Sequence, residues 1–510
     1  MTRERLMPVI LLASIFLHRA IHLDQPIVEN YVGRQIPTAM VARNLERGSG
    51  FLHPQLDTGP FPNLFLVEPP IYAQLVASFR STSGIALEPS GRLISAIAVV
   101  LAGWGLYGLI RRREGSAVAL VGLASFGLFP VMIRFGRDFQ PDALMLGCVL
   151  AGLRSWDEYE NSGDRRWAAL GGFVLAVGLA LKITVIWALI PFLLIVGRWK
   201  LSTRILAAIA MLIPAAAWYL YVWKEVVAPA GGSLAHSEST GIWLNLLFST
   251  RVWLRFITYD SLIRGLCYRG FTPIGFVLAA YGLAASGKLD RLWVGWIVGC
   301  GLSIVGLAAK WHHVYYWMVV APVMAVGVGR GLVKLASLAK FGRSAALGLG
   351  SFFLVVCLVQ SASTFETPVE WQGLNEAIPI IKRANPLESM IVAPEAVLYY
   401  ADLKGYRLEF GPEAKQRAAG EWRVRLSRPD EPLSLVEFYR EAQSIGFLDE
   451  SKPVELQGRP LVIDTRRLLV ADVGSIADEP RRAAWREAIR RRPKTTILAD
   501  EPGYLIAELN

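Results

Sequence analysis

Apolar runs long enough to cross a bilayer recur along the first 364 residues, and they constrain the fold more than any other feature of the chain. Lipid offers no partner for backbone N–H and C=O groups, so a spanning segment must satisfy them internally as a helix, with about 20 apolar residues and about 17 as the lower limit. By that measure about eleven candidate spans are present. They lie near 6–23, 92–110, 115–133, 139–156, 167–181, 183–197, 203–223, 271–286, 291–309, 314–332 and 345–363. The two shortest, 167–181 and 183–197, meet at Lys182 and read as a tight hairpin. Composition agrees: only 19% of residues are charged, where a soluble domain carries about 25%. The first segment lacks a small-residue cleavage site and reads as a retained helix. The four cysteines, at 148, 267, 300 and 357, show neither metal-ligand spacing nor a disulfide framework.

Charge orients these segments. Arg3 and Arg5, Arg111 to Arg113, Arg165 and Arg166, Arg198 to Arg204, Lys288 and Arg291, and Arg330 to Arg343 fall in alternate connections. The positive-inside rule makes that side cytoplasmic, with the N-terminus inside and the C-terminus outside. The net charge of +11 is thereby accounted for by loops and lipid headgroups, with no nucleic acid implied. The opposite side receives residues 24–91, the turn at 134–138, Lys182, the loop 224–270, the turn at 310–313 and everything after 364. A transporter more often places its polar residues at mid-membrane. A purely structural membrane protein has no use for such a one-sided set.

On that side, Asp24 follows the first span directly, in His22-Leu23-Asp24-Gln25-Pro26. An acid where a helix meets water is either a solvated helix end or a group positioned for chemistry on a lipid-borne substrate. The loop after it contains two amphipathic stretches, Thr38 to Arg47 and Ile71 to Phe79, expected to lie on the membrane surface. Asp57 and Glu68 lie between them, as loop or capping acids or as further functional carboxylates. Arg134, Arg137, Asp138 and Asp142 crowd one short connection, where Pro141 and Asp142 suit a helix start and an arginine fork suits a phosphate. Lys182 either snorkels or meets an anion. His313, Tyr315 and Tyr316 open the tenth span, as an aromatic belt or as site residues. Arg251, Arg255, Arg264 and Arg269, interleaved with Trp243, Trp253, Tyr259 and Tyr268, suggest a basic aromatic surface near headgroups.

The ordered set Leu23-Asp24, Arg34-Gln35, Thr38-Ala39, Ala42-Arg43-Asn44, His53-Pro54-Gln55 with Asp57, Pro69-Pro70-Ile71-Tyr72, Arg137-Asp138 with Pro141-Asp142-Ala143-Leu144, Lys182 and His313-Val314-Tyr315-Tyr316 resembles the glycosyltransferase C superfamily. These are polytopic enzymes that use a polyprenyl-phosphate sugar, and the set is most similar to the protein O-mannosyltransferase and aminoarabinose-lipid A transferase group. Gln25 stands where that group's first loop often has a second acid. The resemblance implies an inverting transfer of a sugar from a polyprenyl-phosphate donor to a hydroxyl on a glycolipid, glycan or protein acceptor. It implies Asp24 as the base and Arg137, Lys182, His313, Arg134, Tyr315 and Tyr316 around the donor phosphate. Asp57, Glu68, Asp138 and Asp142 are candidate second acids, no cofactor is assigned, and a divalent metal ion is left open. The implied setting is a bacterial-type inner membrane with the site on its outer face. A lipid-linked glycan ligase or polymerase, or a non-enzymatic lipid or sugar transporter, are the alternatives.

After Phe365 the pattern changes. Short β-like runs at 390–392, 406–410, 460–463, 467–473, 495–499 and 504–508 alternate with helical stretches at 374–383, 396–403, 434–445 and 480–492. That alternation predicts a soluble α/β or α+β domain over 365–510, behind a transmembrane glycosyltransferase domain over 1–364. Arg481, Arg482, Arg486 and Arg490 to Arg492 make the last helix basic, either as a solvated face or as a contact for anionic lipid or glycan.

Overall fold

The structure, a computed structural model, describes residues 3–30, 32–58, 63–224, 250–285, 287–338, 341–384, 390–407, 455–456, 459–460, 468–474, 480–491 and 494–509. Two compact units divide the chain. One comprises Met1–Gln25, Val67–Val222 and Thr240–Glu366; the other brings Pro26–Leu66 together with Thr367–Asn510. A division at residue 364 is therefore too simple: most of the first long loop clusters with the C-terminal part.

The first unit is helical. Among the described residues, four stretches are long and apolar enough to cross a membrane: Leu87–Glu114, Leu201–Val222, Val314–Ala336 and Gly342–Arg383. Shorter apolar helices cover Leu6–Arg19, Ser116–Leu128, Ile183–Ile195, Pro273–Ala284 and Arg291–Gly306. Several of the candidate apolar runs are interrupted. The run at 115–133 breaks at Phe129, and Pro130 begins a new short helix, Pro130–Arg134, at the position where a missing N–H costs nothing. Arg165–Leu181 stops at Lys182, whose backbone is extended (φ −154, ψ 106). The β-branched run Ile183-Thr184-Val185-Ile186 then favours a 3-10 segment, Ile183–Ala188, before Leu189–Ile195 resumes the α-helix.

Leu201–Val222 buries Ala208, Met211, Ala215, Trp218 and Val222, a stripe at helical spacing. Leu206, Ile213 and Leu220 point outward from it, as lipid contact requires. Helices Pro273–Ala285 and Ala321–Ala336 approach to backbone contact: a Cβ on Gly282 would strike the Gly327 carbonyl and the Gly331 amide. Small residues at such crossings let two helices gain dispersion contact where lipid supplies no hydrophobic drive. Part of the expected cytoplasmic charge is consumed in ion pairs. Arg113 joins Asp157 at 2.7 Å and Asp290 at 2.9 Å, and Arg112 joins Glu158 at 2.6 Å.

The second unit carries a mixed five-stranded sheet. Met390–Ala393 pairs in parallel with Tyr406–Arg407 and with Leu468–Val473; Tyr504–Leu509 lies antiparallel between Leu468–Val473 and Thr495–Glu501. Helices Leu374–Arg383, Glu395–Ala401 and Pro480–Arg491 accompany it. The helix expected at 434–445 lies outside the described residues, as do most of 460–463 and the end of 406–410. In the basic helix, Arg486 reaches Asp472, Arg490 reaches Asp500 at 2.8 Å and Arg491 reaches Glu487 at 2.7 Å, so these arginines are engaged by carboxylates.

The loop helix in this unit differs from expectation. Val32–Glu46 is buried from Arg34 to Ala42 and again at Asn44 and Leu45, on all sides rather than along one face. It is an internal helix of the unit, not an amphipathic one on a membrane surface. Ile71–Ser83, in the first unit, does bury one face, through Tyr72, Ala73, Val76 and Ala77.

Candidate active site

The first helix, Arg3–Arg19, ends in a buried arginine. Arg19 donates to the carbonyls of Ile15 at 3.0 Å, Gly127 at 2.8 Å and Met132 at 2.9 Å, pinning the helix end to its neighbours. The chain then turns through His22, a non-glycine residue at φ 49, and the Gln25 amide closes back on the His22 carbonyl at 3.3 Å. Asp24 is exposed on this turn, as is His22, while Gln25 is buried. The Gln25 side-chain amide donates to the Glu366 carbonyl at 2.8 Å.

Two fully buried arginines hold the turn from inside. Arg92, in the second turn of Leu87–Glu114, donates to the carbonyls of His22 at 3.3 Å and Leu23 at 3.1 Å, and to that of Gln25. Arg137 donates to the His22 carbonyl at 2.6 Å and stacks its guanidinium 4.8 Å from the Phe365 ring centroid. A buried guanidinium near a helix N-terminus is electrostatically unfavourable, and a set of carbonyl acceptors offsets that cost.

The connection from Arg134 to Asp142 reaches several neighbours at once. Arg134 donates to the Gln360 carbonyl at 2.6 Å; burial, and then the nearby charge of Arg269, lower its pKa. Phe135 meets Tyr315 edge-on at 6.0 Å. The Asp138 carbonyl accepts from Ser95 at 2.7 Å, and Ser95 also meets the Tyr72 hydroxyl at 3.0 Å. Phe139 packs edge-on against Tyr72 at 5.7 Å. Pro69-Pro70-Ile71-Tyr72 and Arg137-Asp138, widely separated in sequence, thus share one packed locus.

Asp142 takes the Lys182 ammonium at 2.6 Å, both side chains buried. That ammonium lies 4.6 Å from the Tyr315 ring centroid and 5.4 Å from that of Tyr316. His313 stacks on Tyr315 at 5.5 Å, and the His312 and His313 rings lie 3.9 Å apart. Lys182 therefore does not snorkel: the extended backbone after Leu181 turns it inward to an acid and two aromatic faces.

Glu68 is buried in the first unit. Asp57 belongs to the second unit, where Arg43 holds one oxygen at 2.6 Å and Asn44 the other at 3.0 Å. Among the described residues, no three His, Cys, Asp or Glu side chains gather as a metal site. Sequence reasoning missed Arg92, although a charge at the first residue of the apolar run 92–110 was the available signal. It also missed Arg43 as the partner of Asp57, which the 14-residue separation does not reveal.

Residues 67–223 match the family model described as dolichyl-phosphate-mannose-protein mannosyltransferase. No curated protein matches the chain. Among solved structures, the fold is similar to ArnT from Cupriavidus metallidurans bound to undecaprenyl phosphate, with TM-score 0.62 and 13% identity over 98% of this chain and 97% of that one. It is similar to the arabinofuranosyltransferase AftD from Mycobacteria, with TM-score 0.53 and 15% identity over 99% of this chain and 40% of that one. It is also similar to the archaeal oligosaccharyltransferase AglB from Archaeoglobus fulgidus, solved with an inhibitory peptide and a dolichol-phosphate, with TM-score 0.50 and 12% identity over 79% of this chain and 65% of that one. The family match falls on the segment that carries Arg92, Arg137, Asp142 and Lys182, inside a helical fold that the chain shares with these transferases.

Proposed function

We propose that the enzyme transfers a sugar from a polyprenyl-phosphate donor to a hydroxyl acceptor on a glycolipid, glycan or protein, by one inverting displacement. The site and the domain after residue 364 face the outside of a bacterial-type inner membrane. A phosphate ester is already an activated leaving group and departs as an anion without protonation. The protein must therefore supply a base for the acceptor hydroxyl and positive charge for the departing phosphate. Asp24 is the base: it is an exposed carboxylate on a turn whose backbone is fixed from behind. Lys182, Arg134, Arg137 and His313 supply positive charge and donors for the phosphate, with Tyr315 and Tyr316 as its aromatic wall. Attack on the anomeric carbon opposite the leaving phosphate inverts its configuration.

The observation that carries this reading is the Arg134–Asp142 connection. A single nine-residue stretch holds the acid-bearing turn through Arg137 and also carries the acid that engages Lys182 beside Tyr315 and Tyr316. The test is transfer from a panel of polyprenyl-phosphate sugars to membrane glycolipid and protein fractions, with Asp24→Asn beside the wild type. Product from the wild type alone supports the base and names the donor. Full turnover by Asp24→Asn removes Asp24 from the mechanism. Activity with lipid-linked oligosaccharides only would turn the reading to a glycan ligase.

A further inference from the structure

Among the described residues no side chain holds Asp24 in a working position; its backbone does that, and besides Arg137 the backbone is held by a residue that no motif marks. Arg92 is fully buried, and one of its guanidinium nitrogens faces the carbonyls of His22, Leu23 and Gln25, the two residues before Asp24 and the one after it. Arg137 donates to the His22 carbonyl as well. With Arg92 gone, Leu23 and Gln25 lose this tether while His22 keeps one. The turn includes His22 at φ 49, a conformation that non-glycine residues leave readily unless the surroundings enforce it.

We infer that Arg92 is a positioning residue for the catalytic carboxylate: it fixes the 22–25 backbone so that Asp24 meets the acceptor hydroxyl. The inference rests on Asp24 being the base. A guanidinium suits the task better than an ammonium, since it stays charged when buried. Displacements of about 1 Å in a reacting group can cost about 10²-fold in rate. Arg92 touches neither substrate nor leaving group on this reading, so its loss lowers kcat and leaves donor KM nearly unchanged.

The experiment uses the full-length protein in lipid nanodiscs, with the donor found active in the panel above. Arg92→Lys and Arg92→Gln are each made alone and together with Asp24→Glu, a variant whose carboxylate is already displaced. The expected result is kcat lowered about 10–100-fold by either Arg92 change, with donor KM within about 3-fold of wild type. On top of Asp24→Glu the same changes should cost less than about 3-fold, because two changes acting through one group do not multiply. Wild-type kcat in both Arg92 variants overturns the inference, as do losses that multiply in full with Asp24→Glu. So does failure of both variants to yield monodisperse protein, since Arg92 would then serve the helix bundle rather than the turn. Full activity of Asp24→Asn, by contrast, removes the base itself and is a different failure.

Discussion

The Lys182 ammonium and an Asp142 carboxylate oxygen lie 2.6 Å apart, both buried, with the second oxygen of Asp142 meeting no hydrogen-bond partner among the described residues. A buried pair contributes little net stability, but removing one member strands the other charge and costs about 3–5 kcal/mol. Lys182→Met should therefore destabilise the protein more than Lys182→Met with Asp142→Leu, which removes both charges. Thermal denaturation in detergent checks the order. On the functional side, both variants should lose donor binding, because the cation beside Tyr315 and Tyr316 is absent in each. Stability restored without donor binding is the expected separation; donor binding restored in the double variant would return Lys182 to a purely structural role.

Asp57 was a candidate second acid, yet its carboxylate is taken up by Arg43 and Asn44, its carbonyl accepts the Gly405 amide at 3.0 Å, and Arg43 also donates to the Tyr399 carbonyl at 2.7 Å. The arrangement stitches the first loop into the C-terminal unit. Asp57→Ala should lower stability by about 1–3 kcal/mol, because Arg43 and Asn44 lose a buried acceptor while Arg43 keeps Asp402 at 3.1 Å. Loss of activity should follow the loss of fold, and activity should return when the assay temperature is lowered. A stable Asp57→Ala protein with turnover lost at every temperature would instead make Asp57 a reacting acid.

The sequence showed the helical membrane class, the break at Lys182 and the strands at 390–392, 467–473 and 504–508, because each is written in local patterns of apolarity or β-branching. It did not show that Val32–Glu46 would be buried all round, since part of the packing there comes from residues more than 300 positions away, such as Tyr399 against Arg43. For the same reason Arg92 read as the edge of a membrane segment. Its role depends on carbonyls of residues 22, 23 and 25, and a carbonyl acceptor leaves no mark in the side-chain sequence. The pairing of Asp142 with Lys182 was equally hidden: each looked complete alone, one as a helix-start acid and the other as an interfacial lysine.

Asp402 offers a pH signature for the second unit. Burial acts to raise its pKa, but the Arg47 hydrogen bond and the charges of Arg43, Arg47 and Lys382 outweigh it and hold the carboxyl below its ordinary 3.8. A carboxyl with a depressed folded-state pKa gives stability that is fully present above the unfolded value and lost as pH falls through the folded one. The second unit should therefore lose stability as pH drops below about 4. Asp402→Asn should lower stability at neutral pH and flatten that acid-side decline. The effect is modest because the pair is half exposed. Melting curves between pH 3 and 7 decide it: an undiminished acid slope in Asp402→Asn would place the sensitivity elsewhere.

The topology predicts a sidedness that reporters can read. If Arg3 and Arg5 lie inside and the chain leaves the membrane after Gly342–Ser361 on the opposite side, then Asp24 and the sheet of the second unit share the outer compartment. Alkaline phosphatase joined after residue 364 should be active, since it folds only after export and disulfide formation. The same reporter placed after Arg113, in the segment rich in arginine, should be silent, and a cytoplasmic fluorescent reporter should behave in reverse at both positions. The paired sites matter because a single active fusion could reflect leakage. Activity at 113 with silence at 364 would invert the whole reading, move Asp24 to the cytoplasmic face and direct the search for an acceptor to cytoplasmic glycolipids.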